Sequence, residues 1–139
     1  MKNKYLYWII VIIVVFGLAV LMFFHIFKKA DITVASKKVD VEIVASILQK
    51  NFETDEKTAN AKYLNKIIVV SGIVDNITDT KEDITVYLKP KDKTSGVMCS
   101  FDKTVFKKSS IKPGDQVKIK GICNGYLMDV VLNKCAIVK

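Results

Sequence analysis

Hydrophobic and polar positions change rhythm twice along the chain, and the two changes divide it into three kinds of structure. From Tyr5 to Phe27 (YLYWIIVIIVVFGLAVLMFFHIF) no side chain carries a formal charge, over 23 residues. A helix of that length extends about 34 Å, enough to cross a hydrocarbon core of ~30 Å with every amide bonded inside one segment. Tyr5, Tyr7 and Trp8 sit at one end, where amphipathic rings favour the headgroup layer, and Lys2, Lys4, Lys28 and Lys29 bracket the run. A cleaved signal has a shorter apolar region, ~7–15 residues, that ends at small residues; here Ala19 is followed by more apolar bulk and no cysteine lies nearby to take a lipid. The expectation is one transmembrane helix within residues 1–29.

A 3.6-residue rhythm follows. Residues 30–39 (ADITVASKKV) mix polar and apolar positions and read as a linker. Val41, Val44, Ala45, Leu48 and Phe52 then fall on one helical face, with Asp40 as a cap and Glu42 near the positive end of the dipole. Residues 55–63 (DEKTANAKY) continue as helix, with Thr54 as its cap and Ala59 and Tyr63 on one side. Residues 40–64 are therefore expected as one broken helix or two short ones, a lead-in to what comes next.

From Lys66 the period changes to that of strands: a β-branched run first (KIIVVSGIVDNI), then alternation in ITVYLKP and QVKIKGIC. Five strands are expected, at 66–77, 84–90, 97–101, 116–123 and 129–139. Gly72 inside the first marks a bulge or tight coil. Residues 79–83 and 91–96 read as turns, 102–112 as a short helix or loop, and Pro113-Gly114-Asp115 as a turn in which proline presets φ and glycine supplies positive φ. Residues 124–128 (NGYLM) read as the last turn. One small sheet cannot hide both faces, so closure into a barrel removes its edges. The pattern predicts a mainly β domain over 65–139: a five-stranded Greek-key OB-fold barrel with an N-terminal helical lead-in.

Charge narrows the function. The formal net charge is +8, and all 22 basic side chains are lysine. Four of these lysines flank the apolar run, which leaves the rest of the chain with 18 lysines against 14 carboxylates. That mild excess suits solubility or anionic lipid better than a polyanion groove, and arginine, the usual bidentate reader of phosphate, is missing. Lysines on both sides of the apolar run leave the positive-inside rule undecided; the short amino tail favours a cytoplasmic start, with the barrel outside.

No catalytic grouping stands out. The one histidine, His25, belongs to the apolar run, and no nucleophile elbow or phosphate loop occurs. Asp75, Asp79, Glu82 and Asp83 gather near a turn that reads as solvated. Cys99, Cys123 and Cys135 form no CxxC pair, so neither a metal site nor a cofactor is expected. The cysteines read as small buried hydrophobes or, in an oxidising compartment, as a disulfide: Cys123 with Cys135 across the last hairpin, or one of them with Cys99.

Several stretches carry a family likeness: NKIIVVSGIV (65–74), VMCSF (97–101), IKPGDQVKIKGIC (111–123) and GYLMDVVLNKC (125–135), with DEKTANAKYLNK (55–66) as helical lead-in. Over about 45–138 the chain resembles the bacterial tRNA_anti-like OB-fold family, whose members are held at the cell envelope by a signal, lipid or single helix. The resemblance implies the fold and the attachment; it names no reaction.

Candidate binding residues follow. For nucleic acid they are Tyr87, Lys89, Lys91, Phe101 and Lys103, where a base would stack on an aromatic and lysines would track phosphates. Alternation turns Tyr87 outward and places Phe101 with Cys99 and Val97 in the core. For a protein or small-ligand partner they are Tyr126, Leu127 and Met128, an apolar turn that either caps one barrel end or is covered by a partner. The expected protein is a single-pass, membrane-tethered, non-catalytic binding module of the bacterial envelope; the alternative is a single-stranded nucleic-acid-binding OB domain facing the cytoplasm.

Overall fold

The computed structural model describes residues 2–28, 34–90, 93–106 and 110–138. The chain forms two compact units, Met1–Ile32 and Thr33–Lys139.

The first unit is one helix, α1 (Lys2–Lys28), of 27 residues, where the uncharged run predicts helix. Its side chains are described at residues 4, 8, 9 and 11–22, and the large apolar ones among them, such as Trp8, Ile13, Phe16 and Leu21, are exposed. Among the described residues no helix is long and apolar enough to cross a membrane.

The second unit contains a short 3₁₀ turn (Val34–Ser36), β1 (Val41–Val44), α2 (Ala45–Thr54), α3 (Glu56–Tyr63), β2 (Ile67–Asp79), β3 (Asp83–Leu88), β4 (Val97–Asp102), α4 (Lys103–Phe106), β5 (Gln116–Leu127) and β6 (Asp129–Val138). The sheet order is β1-β2-β3-β4-β6-β5, and β5 pairs back onto β2. Strands β2 to β6 thus close into the five-stranded OB-like barrel expected from the alternating pattern. Buried Ile68, Val70, Val86, Leu88, Phe101, Ile119 and Leu132 fill it.

Strand β2 makes the closure possible because its two halves use different neighbours. Ile67–Ile73 pair with β5, and Val74–Asp79 pair with β3 across a bulge. The free edge of its first half is covered by β1, which runs parallel to it from Val41↔Ile68 to Val44↔Ser71. This sixth strand replaces the helix expected over residues 41–44. VEIV satisfies both rhythms, and the unpaired edge of β2 decides in favour of strand. Asp40 accordingly caps no helix: its carboxylate accepts from the Ile67 amide at 2.9 Å, and its amide donates to the Ile67 carbonyl at 2.8 Å.

From Ala45 onward the helical reading holds. Ala45, Leu48 and Phe52 are buried over the barrel, together with Gln49. Asp55, rather than Thr54, caps α3, its carboxylate accepting from the Thr58 amide at 3.0 Å. Phe52 is flanked by two aromatic rings, with ring centroids 6.0 Å from Tyr63 and 5.8 Å from Tyr126. These contacts tie the lead-in to the last hairpin.

Part of the expected linker belongs to the barrel. Val34 is buried, and the 3₁₀ turn lies against β5 and β6. Beneath it Lys120 is only 5% exposed, its ammonium donating to the Ala35 carbonyl at 3.2 Å and to the Lys37 carbonyl. Lys118, two residues earlier, stays in solvent and pairs with Glu42 at 2.6 Å.

Candidate binding surfaces of the barrel

The outer face of β2, β3 and β4 is where a strand-bound polymer would lie. Alternation in β3 turns Val86 and Leu88 inward and leaves Thr85 and Tyr87 half-buried on the outside. Tyr87 stands beside Asn76 and Met98 in register, and its hydroxyl lies 3.1 Å from the Met98 sulfur. Phe101 is buried and meets the edge of Phe106, with ring centroids 5.4 Å apart. Of the two candidate aromatics, only Tyr87 therefore faces outward.

Two cations of this face are paired. Lys89 pairs with Asp75 at 3.4 Å and Lys103 with Asp79 at 2.7 Å. Lys91 lies outside the described residues. Two further carboxylates sit alongside. Asp83 accepts from the Ser100 hydroxyl at 2.5 Å and the Thr80 hydroxyl at 2.6 Å, and these bonds hold its pKa below the ordinary range. Asp102 is lowered in the same way by Thr104. A phosphate approaching here would compete with carboxylates already bound to Lys89 and Lys103 and meet the further negative charge of Asp83 and Asp102.

The apolar hairpin tip is divided. Residues 124–127 extend β5 instead of forming a turn, with Gly125 at φ +108° beside a register shift and Met128 at φ +74° in the tight reversal. Tyr126 turns back onto Phe52. Leu127 and Met128 are 83% and 81% exposed, so among the described residues nothing covers them. The reversal is held from behind: the Gln49 side-chain amide donates to the Met128 carbonyl at 3.2 Å, and the Asp129 carboxylate accepts from the Gly96 amide at 2.7 Å.

A third surface has no counterpart in the candidate residues. A groove of about 300 Å³ opens where the end of β1, the start of α2 and the end of β3 meet over Gly72. Here β1 stops opposite Ser71 and β3 begins its pairing opposite Val74, so among the described residues Gly72 and Ile73 have a sheet partner in β5 alone. A Cβ on Gly72 would lie 3.1 Å from the Ala45 Cβ and 3.3 Å from the Leu88 Cβ. Gly72 thus lets β2 approach α2 and β3 more closely than most side chains would, the sequence's single hint of this site. Ile73 and Val44, on the groove's rim, are 55% and 45% exposed. Lys89 and Pro90 close the other side.

The three cysteines are buried and free. The hairpin register sets Cys123 opposite Leu132 and not opposite Cys135. Burial raises the Cys123 thiol pKa.

The family model named tRNA_anti-like matches residues 1–137. Among curated proteins none matches the chain. Among solved structures, the chain is similar to a Klebsiella pneumoniae protein described as a "putative nucleic acid-binding lipoprotein", at 16% identity and TM-score 0.58, over 79% of this chain and 98% of that one. It is also similar to chains of the S. pombe Stn1–Ten1 complex (18% identity, TM-score 0.42, 52% of this chain and 58% of that one). Yeast Stn1 and Ten1 give 16% identity and TM-score 0.47, over 75% of this chain and 65% of that one. At these identities the likeness is one of fold.

Proposed function

The chain belongs to the tRNA_anti-like family, and from that premise we propose that it is a non-catalytic binding module, tethered to the bacterial envelope by α1, whose barrel engages a protein or small ligand. The observation that carries this reading is the groove over Gly72. It joins a concave wall, half-exposed aliphatic side chains at Val44 and Ile73, and a gap in the strand pairing of β2. Aliphatic surface at a concavity favours an occupant that buries it, at roughly 25 cal/mol per Å² of apolar area removed from water. The tether reading rests on the uncharged run Tyr5–Phe27 with lysines at both ends.

The test is site-specific photocrosslinking of the full-length protein in native membranes. Benzoylphenylalanine replacing Ile73 is expected to form a discrete adduct, and Val44→Asp in the same chain is expected to abolish it. No adduct at position 73, or one indifferent to Val44→Asp, would overturn the groove as the site.

A second reading places single-stranded nucleic acid on β2–β4, with a base on Tyr87 and phosphates on Lys89 and Lys103. The description of the Klebsiella lipoprotein favours it. The ion pairs to Asp75 and Asp79 weigh against it, since each must be given up before a phosphate gains its lysine. Binding through phosphates weakens steeply as salt rises. An oligothymidylate titration that stays flat at low salt removes this reading.

A further inference from the structure

One edge of β2 is taken by β5, and β1 and β3 share the other: β1 as far as Ser71, β3 from Val74 onward. Val74 uses its own backbone on the β5 side. Its amide donates to the Asp115 carbonyl at 2.9 Å, and its carbonyl accepts from the Gly114 amide at 2.7 Å. Backbone groups alternate in direction along a strand, so the amide and carbonyl of Ile73 point the opposite way, into the break between β1 and β3. Among the described residues neither strand pairs with Ile73 there. The break is short and bounded by a strand at each end. A partner strand running through along β2 would meet Val44 on one side and Leu88 on the other; a chain that ends in the break would not.

The groove's polar groups are of one kind. The start of α2 forms a wall of it. Amides in the first turn of a helix lack intrahelical acceptors, and here Val44 at the N-cap position supplies none and no acidic side chain follows in the first turn. The hydroxyl of exposed Ser46 adds a donor beside them. No acidic residue is among those lining the groove, and Lys89, held by Asp75, stands on the far rim. Donors without acids favour an anion. The aliphatic rim of Val44 and Ile73 favours an apolar group attached to that anion, and the open backbone edge of Ile73 favours a peptide over a simple acid.

We propose, on the premise that the groove over Gly72 is the binding site, that its occupant is the carboxyl end of a polypeptide with an aliphatic last residue. The terminal carboxylate meets the first-turn amides of α2 and the Ser46 hydroxyl. The last side chain lies against Val44 and Ile73, over the floor made by Gly72, and the main chain of the occupant bonds to the backbone of Ile73. Capture of a chain end in this way uses backbone donors for the charge and one apolar contact for selection.

The full-length chain in detergent micelles is titrated, by fluorescence anisotropy, with hexapeptides labelled at the amino end. They end in valine, leucine, aspartate or lysine, and each is made as the free acid and as the carboxamide. Free acids ending in valine or leucine are expected to bind, and their carboxamide twins to bind about tenfold more weakly or worse, as loss of a charge-assisted hydrogen bond implies. With the 15N-labelled chain, the amide resonances of Ser46 and Ile73 are expected to move on binding. Ser46→Glu places a carboxylate where the ligand's would lie; it is expected to abolish binding while keeping or raising the melting temperature, because an acid in the first turn stabilises a helix. Octanoate, a carboxylate with an aliphatic tail and no peptide group, is expected to displace the bound peptide only weakly. Equal binding of acid and amide, full binding by a folded Ser46→Glu variant, or displacement by octanoate at the peptide's own concentration would each overturn the proposal. Binding of no peptide would do so too, and the adduct at position 73 then separates the two readings. If the adduct forms, the groove stands as a site for something other than a chain end; if it does not, both fall.

Discussion

Asp83 shows how much one side chain does at the start of β3. Its carboxylate gathers the hydroxyls of Ser100 and Thr80, and its carbonyl accepts the Thr80 amide at 3.0 Å, so it fixes both the β2–β3 turn and the β3–β4 pairing. Those bonds favour the ionised form, and its folded pKa lies below its unfolded one. The resulting stability is fully present above the unfolded value of about 3.9 and is lost as pH falls through the lower folded value. Glu53, Asp55 and Asp102 are lowered as well and act in the same direction. The melting temperature should therefore be level above about pH 5 and fall below about pH 4. Asp83→Asn should lower the plateau and flatten the acid limb. Thermal scans from pH 2.5 to 7 check this, and an unchanged acid limb in the variant would assign the loss to other carboxylates. The attachment of Asp83 to Ser100 was not legible in the sequence, where the acidic cluster of residues 75–83 reads as a solvated turn. Nothing in a linear pattern states which hydroxyl lies across the next strand.

At the level of elements, legibility followed the number of rhythms a segment satisfies. Residues 45–52 fit only a helix and form one. VEIV at 41–44 fits both helix and strand, and the choice was made by the bare edge of β2, a tertiary fact. NGYLM at 124–128 has turn composition, yet the register shift at Gly125 keeps it in β5 and moves the reversal to Met128. A positive φ at methionine has no signature in composition. The 3₁₀ turn was hidden for a related reason: VAS among lysines reads as linker, and only the burial of Val34 and Lys120 reveals it as part of the barrel. That dependence can be measured. Lys120→Ala removes the two bonds to the Ala35 and Lys37 carbonyls and the alkyl stem beneath the turn. The Lys37 amide, which donates to the Val34 carbonyl at 3.1 Å, should then exchange roughly tenfold faster or more, as a loss of about 1.5 kcal/mol at a charge-assisted contact implies. Amides in the centre of β2 should keep their protection. If both change together, the turn and the barrel open as one unit.

For the whole molecule, the barrel was legible because five alternating segments and a turn of defined chemistry leave few ways to hide sheet edges. The groove was not, because it arises where two strands end along a third. If α1 tethers the chain as proposed, what the molecule does depends on which side of a membrane the barrel occupies, and its own cysteines make that question tractable. Cys99, Cys123 and Cys135 are buried, so a membrane-impermeant maleimide should pass them over in the folded protein. Lys81, exposed in the β2–β3 turn, offers a reporter position as Lys81→Cys. In intact spheroplasts this variant should be labelled without lysis, while the unsubstituted chain stays unlabelled, and both should remain in the membrane pellet after an alkaline carbonate wash. Labelling only after lysis would put the barrel in the cytoplasm. There nucleic acid becomes an available partner for the Tyr87 face. Release by carbonate would remove the tether. A labelled, carbonate-resistant chain would instead leave the Gly72 groove facing an extracytoplasmic space, where its occupant should be sought.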